Sequence, residues 1–146
     1  MNGRNWWVAI IAGWVGIIIV SSFYGDPDDW LVVGEVHVAD SVEGQSPSMR
    51  VRRSIKQSFR GNWLVDVNRR EGPGFVAVCT GSGQNIYEPT DQLPINPDLN
   101  WWTYPVKCHL APGCYEVDTV WTIRPPNVPP MEVRAASNEF CIKPRN

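Results

Sequence analysis

Histidine is scarce in this chain of 146 residues, with two in all, and the cysteine and histidine spacings that mark metal or redox sites are missing. No C-x-x-C occurs, which excludes a thioredoxin-like dithiol. Paired C-x2-C or H-x3-H spacing is also absent, so no zinc ligand set is expected. His37 alternates with Glu35 on a solvated strand face. His109 stands next to Cys108, and neighbours on a strand point to opposite faces, so a Cys–His nucleophile is not built there. Gly81-Ser82-Gly83 lacks the Lys-Ser/Thr and the helix of a phosphate loop and reads as a turn. Charge of one sign is lacking too: the net charge is −2 and the isoelectric point is near 5.6. That balance argues against nucleic acid as a partner. The expectation is a protein that is not an enzyme and carries no cofactor and no metal.

The longest absence is of charge itself. Residues 6–24, WWVAIIAGWVGIIIVSSFY, hold no charged side chain. As a helix these nineteen residues span about 28 Å, close to the thickness of a bilayer's hydrocarbon core. Trp6 and Trp7 at one end and Phe23 and Tyr24 at the other suit the two interfacial belts. Arg4 precedes the run. Asp26, Asp28 and Asp29 follow it, with no base until Arg50. The positive-inside rule puts the N-terminus in the cytoplasm and the rest outside, periplasmic or extracellular. A cleaved signal peptide is the competing reading, but no A-x-A is present and the run is longer than usual. The organisation expected is a transmembrane anchor over 1–25 contacting lipid through 6–24, an acidic linker over 26–29, and one domain over 30–146.

Beyond residue 25 the helical period is missing as well. Segments that alternate or run apolar lie at 30–40, 49–59, 62–68, 74–80, 114–123 and 132–142. Between them sit EGQSPS, RREGPG, GSGQN and RPPNVPP, rich in turn-forming residues. Strands at this spacing without intervening helices predict an all-β antiparallel sandwich or barrel. Alternation sets the faces. Tyr115, Val117, Thr119, Trp121 and Ile123 share one side, and Cys114, Glu116 and Asp118 the other. Trp63, Val65 and Val67 point inward on their strand, Ile55 and Phe59 on the one before, and Phe140 and Ile142 on the last.

What the chain does have is four cysteines, eight tryptophans and thirteen prolines. An even cysteine count permits two disulfides in an oxidising compartment. If 114–123 and 132–142 form a hairpin around RPPNVPP, a register pairing Thr122 or Ile123 with Met131 to Val133 also sets Cys114 opposite Cys141. Directly opposite residues on one face are within disulfide reach. Cys79 and Cys108 remain as the second pair.

The stretch Leu110-Ala111-Pro112-Gly113-Cys114-Tyr115, followed by an alternating strand, resembles the tyrosine corner of immunoglobulin-like and fibronectin type III sandwiches. The ending S-N-E-F-C-I resembles the closing strand of such a domain. The resemblance implies an immunoglobulin-like β-sandwich in which Tyr115 is structural and Trp63 is the buried tryptophan of the third strand. It departs from true immunoglobulin domains two residues after Tyr115, where Val117 replaces cysteine. The fold hosts many functions and names none.

Two features are candidates for binding. Arg50, Arg52 and Lys56 fall on one strand face, a patch suited to anionic lipid, a polyanion or an acidic partner. Trp101, Trp102 and Tyr104 lie in a proline-rich connection of 17 residues, from Pro89 to Pro105. Loops of that length without regular structure are commonly functional. Consecutive tryptophans cannot both face a core, so one of them is expected at the surface. The reading is a non-catalytic, membrane-anchored, extracytoplasmic interaction or structural subunit of an envelope or phage-related assembly, with a protein partner. The alternative is a glycan-binding module that uses the aromatic loop.

Overall fold

The computed structural model describes residues 25–146, and the expected transmembrane anchor lies outside the described residues. No described helix is long and apolar enough to cross a membrane. Eight strands follow one another as β1 (Leu31–Val38), β2 (Ser41–Val42), β3 (Met49–Ile55), β4 (Phe59–Glu71), β5 (Gly74–Tyr87), β6 (Gly113–Arg124), β7 (Met131–Ala136) and β8 (Phe140–Lys143). A four-residue helix α1 (Leu99–Trp102) interrupts the connection between β5 and β6. The acidic residues 26–29 do not form a free linker. Pro27–Asp29 wind into a 3-10 turn capped by Asp26, whose side chain accepts from the Asp28 amide at 3.0 Å. Gln57 and Lys56 tie this turn to the domain by bonds to the Asp29 and Trp30 carbonyls.

The strands form two sheets around one core, a β-sandwich. One sheet is the antiparallel pair β1–β3; the other runs β2-β8-β6-β4-β5, with β7 also paired to β6. The connection after β1 changes sheets, so that β2 pairs in parallel with β8. Period-two alternation drives the packing. On β6, Tyr115, Val117, Thr119, Trp121 and Ile123 are all buried between partly exposed neighbours. They meet Leu31, Val36 and Val38 of β1 and Val51 and Ile55 of β3 in a single cluster. Burying such side chains stabilises by about 1.5–3 kcal/mol each, which is what holds two polar-backed sheets together.

Three sequence expectations change. The segment 74–80 continues to Tyr87, so Gly81-Ser82-Gly83 lies inside β5 and is not a turn. Its glycines face inward and permit close approach: a Cβ on Gly81 would run into the backbone of Thr103, and one on Gly83 would lie 2.7 Å from the Trp63 indole. The expected strand 132–142 is two strands broken at 137–139, across which the register to β6 slips by one. Ser137 and Asn138 satisfy the backbone at the break: the Ser137 hydroxyl accepts from the Val117 amide, and the Asn138 carboxamide bonds both polar groups of Val38. Phe59 opens β4 and does not close the strand before it. Its ring stacks on Tyr87 at 4.9 Å.

Both disulfides are present. Cys114 lies directly opposite Cys141 and is bonded to it, and Cys79 is bonded to Cys108. The two cysteines six apart in sequence therefore serve different bridges. Tyr115 is buried, and its hydroxyl donates to the Ala111 carbonyl at 2.6 Å, closing the turn into β6. Trp63 is half-buried and not enclosed, because its indole lies over Gly83 near the open side of the sandwich. The enclosed tryptophan is Trp121, its register partner on β6.

Candidate functional site

The connection from β5 to β6 builds the site. After Tyr87 a turn is fixed by Asp91, whose carboxylate accepts from the Glu88 amide at 2.8 Å. The chain then runs beside β3. Val51 and Met49 donate their amides to the carbonyls of Ile95 and Pro97, at 2.8 and 2.9 Å. Leu99 returns one bond, to the Pro47 carbonyl. Asp98 caps α1 by accepting from the Trp101 amide at 2.8 Å, the role for which a carboxylate at a helix start is suited. Thr103, fully buried, seats the end of the helix on Gly81. The Asn100 side chain accepts from the Cys108 amide, and Cys108 is bonded to β5 through Cys79.

This seating separates the two loop tryptophans. Trp102 is 5% exposed, packs edge-on against Trp121 at 6.0 Å, and donates its indole N–H to the Thr119 hydroxyl at 3.0 Å. It belongs to the core. Trp101 is 48% exposed and Tyr104 69%. They stand with half-buried Trp63 at the mouth of a cavity of about 410 Å³ whose inner wall is the buried Tyr87, Trp102 and Trp121. That volume lies within the range of small-molecule sites.

One charged side chain lines this cavity. On β3, Met49, Val51 and Ile55 are buried, and Arg53 shares their parity, so it too points inward. Its guanidinium carbon lies 4.6 Å from the ring centre of Trp102 and 5.6 Å from that of Trp101. Its Nε is buried with no hydrogen-bond partner, and Nη2 reaches the Pro94 carbonyl at 3.5 Å. Burial lowers the Arg53 pKa from its ordinary value to about 10. Burial also pushes the Tyr87 hydroxyl up, opposed by the Arg53 cation. Ion pairs among the described residues join Arg70 to Glu139 and Arg134 to Glu132. Arg53 has no such partner.

The structure divides the expected binding residues. Trp101 and Tyr104 come together at the cavity mouth, with Trp102 behind them. Arg50, Arg52 and Lys56 are exposed, the two arginines on the opposite face of β3 from Arg53, and none of the three lines this cavity. His37 pairs with Arg50 across β1–β3 and is exposed, as is His109. The sulfurs of Cys114 and Cys141 lie near the Glu139 carboxylate but are bonded to each other, so this group cannot act as a metal ligand set. Sequence reasoning missed Arg53 and Tyr87. For Arg53 the signal was present: Val51-Arg52-Arg53-Ser54-Ile55 alternates with residue 53 on the apolar side. No protein-family model matches the chain, and no curated protein or solved structure does so.

Proposed function

We propose that this chain is a non-catalytic binding domain with an immunoglobulin-like sandwich, held at the outer face of a membrane by residues 6–24. It serves as an interaction subunit of an envelope or phage-related assembly. The observation that carries the reading is Arg53, a cation with no counter-ion among the described residues, under the half-exposed ring of Trp101. Burying such a charge costs a folded domain more than its ring contacts return, unless something outside the chain completes it. The two disulfides fit an oxidising, extracytoplasmic compartment. The hydroxyl bond from Tyr115 back to Ala111 fits the tyrosine corner of immunoglobulin-like domains, while the half-buried Trp63 and the valine at position 117 depart from their pattern.

A second reading, a glycan-binding module, is favoured by the open edge formed by Trp101 and Tyr104, which offers flat apolar faces to a sugar ring. The test common to both is the double variant Trp101→Ala, Tyr104→Ala in the full chain purified from its native membrane. We expect the partners that co-purify in detergent to be lost while the domain stays folded and oxidised. Retention of the same partners would show that the cavity is not the binding element. The anchor is tested separately. The mature protein should begin near Met1 and remain with membranes in high salt, whereas an N-terminus at Phe23 would mean a cleaved signal.

A further inference from the structure

We infer that the aromatic cavity takes a six-membered ring that carries a carboxylate, with the carboxylate on Arg53 and the ring against Trp101. The inference rests on the reading of this cavity as the binding element and adds the chemistry of what enters it. Arg53 supplies the charge requirement. Its Nε is sealed from solvent and lacks an acceptor, and its Nη2 has one long bond to a carbonyl. A carboxylate suits a guanidinium because two parallel N–H···O bonds match its fork, and such charge-assisted bonds are the strong ones. The walls supply the shape requirement. Trp101 and Trp102 lie at 40° to each other with centres 6.2 Å apart, and Trp63 and Tyr104 complete the opening. Flat walls favour a flat or chair-shaped ring over a branched chain.

The remaining polar groups limit the ligand further. The Thr119 hydroxyl accepts from Trp102 and keeps its O–H to donate, and Asn85 and the hydroxyls of Tyr87 and Tyr104 are the other polar lining side chains besides Arg53. These can satisfy a few ring substituents, with any others directed through the mouth to water. A highly charged ligand such as a phosphorylated sugar would carry more negative charge than one guanidinium neutralises. A neutral ring would leave Arg53 uncompensated, and burying it more deeply would then cost affinity. The ring can come from a uronate unit of an acidic glycan or from a free aromatic acid, since both present a flat face beside a carboxylate.

The test uses the full oxidised chain in detergent and follows tryptophan emission during titration with three probes. These are a galacturonate trisaccharide, the matching neutral galactose trisaccharide, and benzoate. We expect one of the acidic probes to quench emission saturably, with the trisaccharide or benzoate identifying the source. Arg53→Met should weaken that binding at least tenfold, and Arg53→Lys should recover part of the loss because it restores charge without the fork. Trp101→Ala should weaken it as well. Equal binding of the neutral trisaccharide, or undiminished affinity in Arg53→Met, overturns the carboxylate assignment while loss in Trp101→Ala keeps the cavity as binding element. Absence of binding by all three probes at millimolar concentration also overturns the assignment. Whether the cavity reading falls with it is then decided by partner retention in the Trp101, Tyr104 double variant. Circular dichroism of each variant separates lost binding from lost fold.

Discussion

Replacing Arg53 with methionine should make the protein more stable. Burial holds the guanidinium pKa down at about 10, well below its ordinary value, and each unit corresponds to about 1.4 kcal/mol between the charged and neutral forms. The full displacement would place the cost of keeping Arg53 charged at neutral pH at about 3.5 kcal/mol. Two effects reduce that figure. The residue is only partly buried, so water screens it, and the contacts with Trp101 and Trp102 contribute about 1 kcal/mol that methionine forfeits in part. A net gain of about 1–2 kcal/mol remains, read as a rise of several degrees in the unfolding midpoint by near-ultraviolet circular dichroism. The pH dependence has a definite sign. A base with a depressed folded pKa binds fewer protons when folded than unfolded between about pH 10 and the ordinary arginine value, so the wild type gains stability as pH rises through that window. The methionine variant lacks this gain, and its advantage over the wild type should shrink above pH 10. A loss of 1 kcal/mol or more at pH 7 would refute the reasoning, because Arg53 would then be holding the loop to the sheet.

Tyr115→Phe should destabilise by about 1 kcal/mol or more, since the buried tyrosine loses the hydroxyl that now donates to the Ala111 carbonyl at 2.6 Å; an unchanged urea midpoint would remove the tyrosine from the turn's support. Gly81→Ala should cost about 1–3 kcal/mol by overpacking, because its Cβ would lie 2.8 Å from the Thr103 Cα. It should also redden tryptophan emission as α1 lifts, and wild-type spectra would contradict the close seating. Replacing Cys79 and Cys108 together with alanine opens a loop of sequence separation 29. The loss expected from chain entropy is about 3–4 kcal/mol, and peptide mapping of the wild type should recover the 79–108 and 114–141 pairs.

The parts of the fold readable in sequence were those governed by alternation. One face of β6 is apolar at every second residue from Tyr115 to Ile123, and no competing signal disturbs it. The hairpin register that sets Cys114 opposite Cys141 followed from the same period, and a one-residue slip at 137–139 left the disulfide in place. What was hidden depends on contacts between segments far apart in sequence. Gly81 and Gly83 carry the composition of a turn, and their role in a strand is visible once Thr103 and the Trp63 indole lie against them. The four residues of α1 are too few for a helical period, leaving Asp98 as the sole local marker. Arg53 was legible by parity, but the patch read on this strand was Arg50, Arg52 and Lys56, and residue 53 was not assigned to the other face.

The cavity has a physical origin in the connection that covers the side of the sandwich. An uncovered edge of β3 would present unpaired amides, and the 94–98 segment accepts from two of them, at Met49 and Val51. Pro97 has no N–H to return to Met49, and the bond that Leu99 returns goes to Pro47, ahead of β3. Along β3 itself the bonds run one way, and none continues to Arg53, the next residue of the same parity. There the chain turns away through Leu93 toward Asp91, and the space between β3 and β5 is left to side chains. Trp102 fills the deep part and bonds Thr119, while the outer part stays open between Trp63, Trp101 and Tyr104. A proline-rich segment that only closed the fold would place an apolar residue at position 53, as at 49, 51 and 55. The arginine there is the departure from that pattern, and it lies where the one-sided pairing ends and the cavity begins.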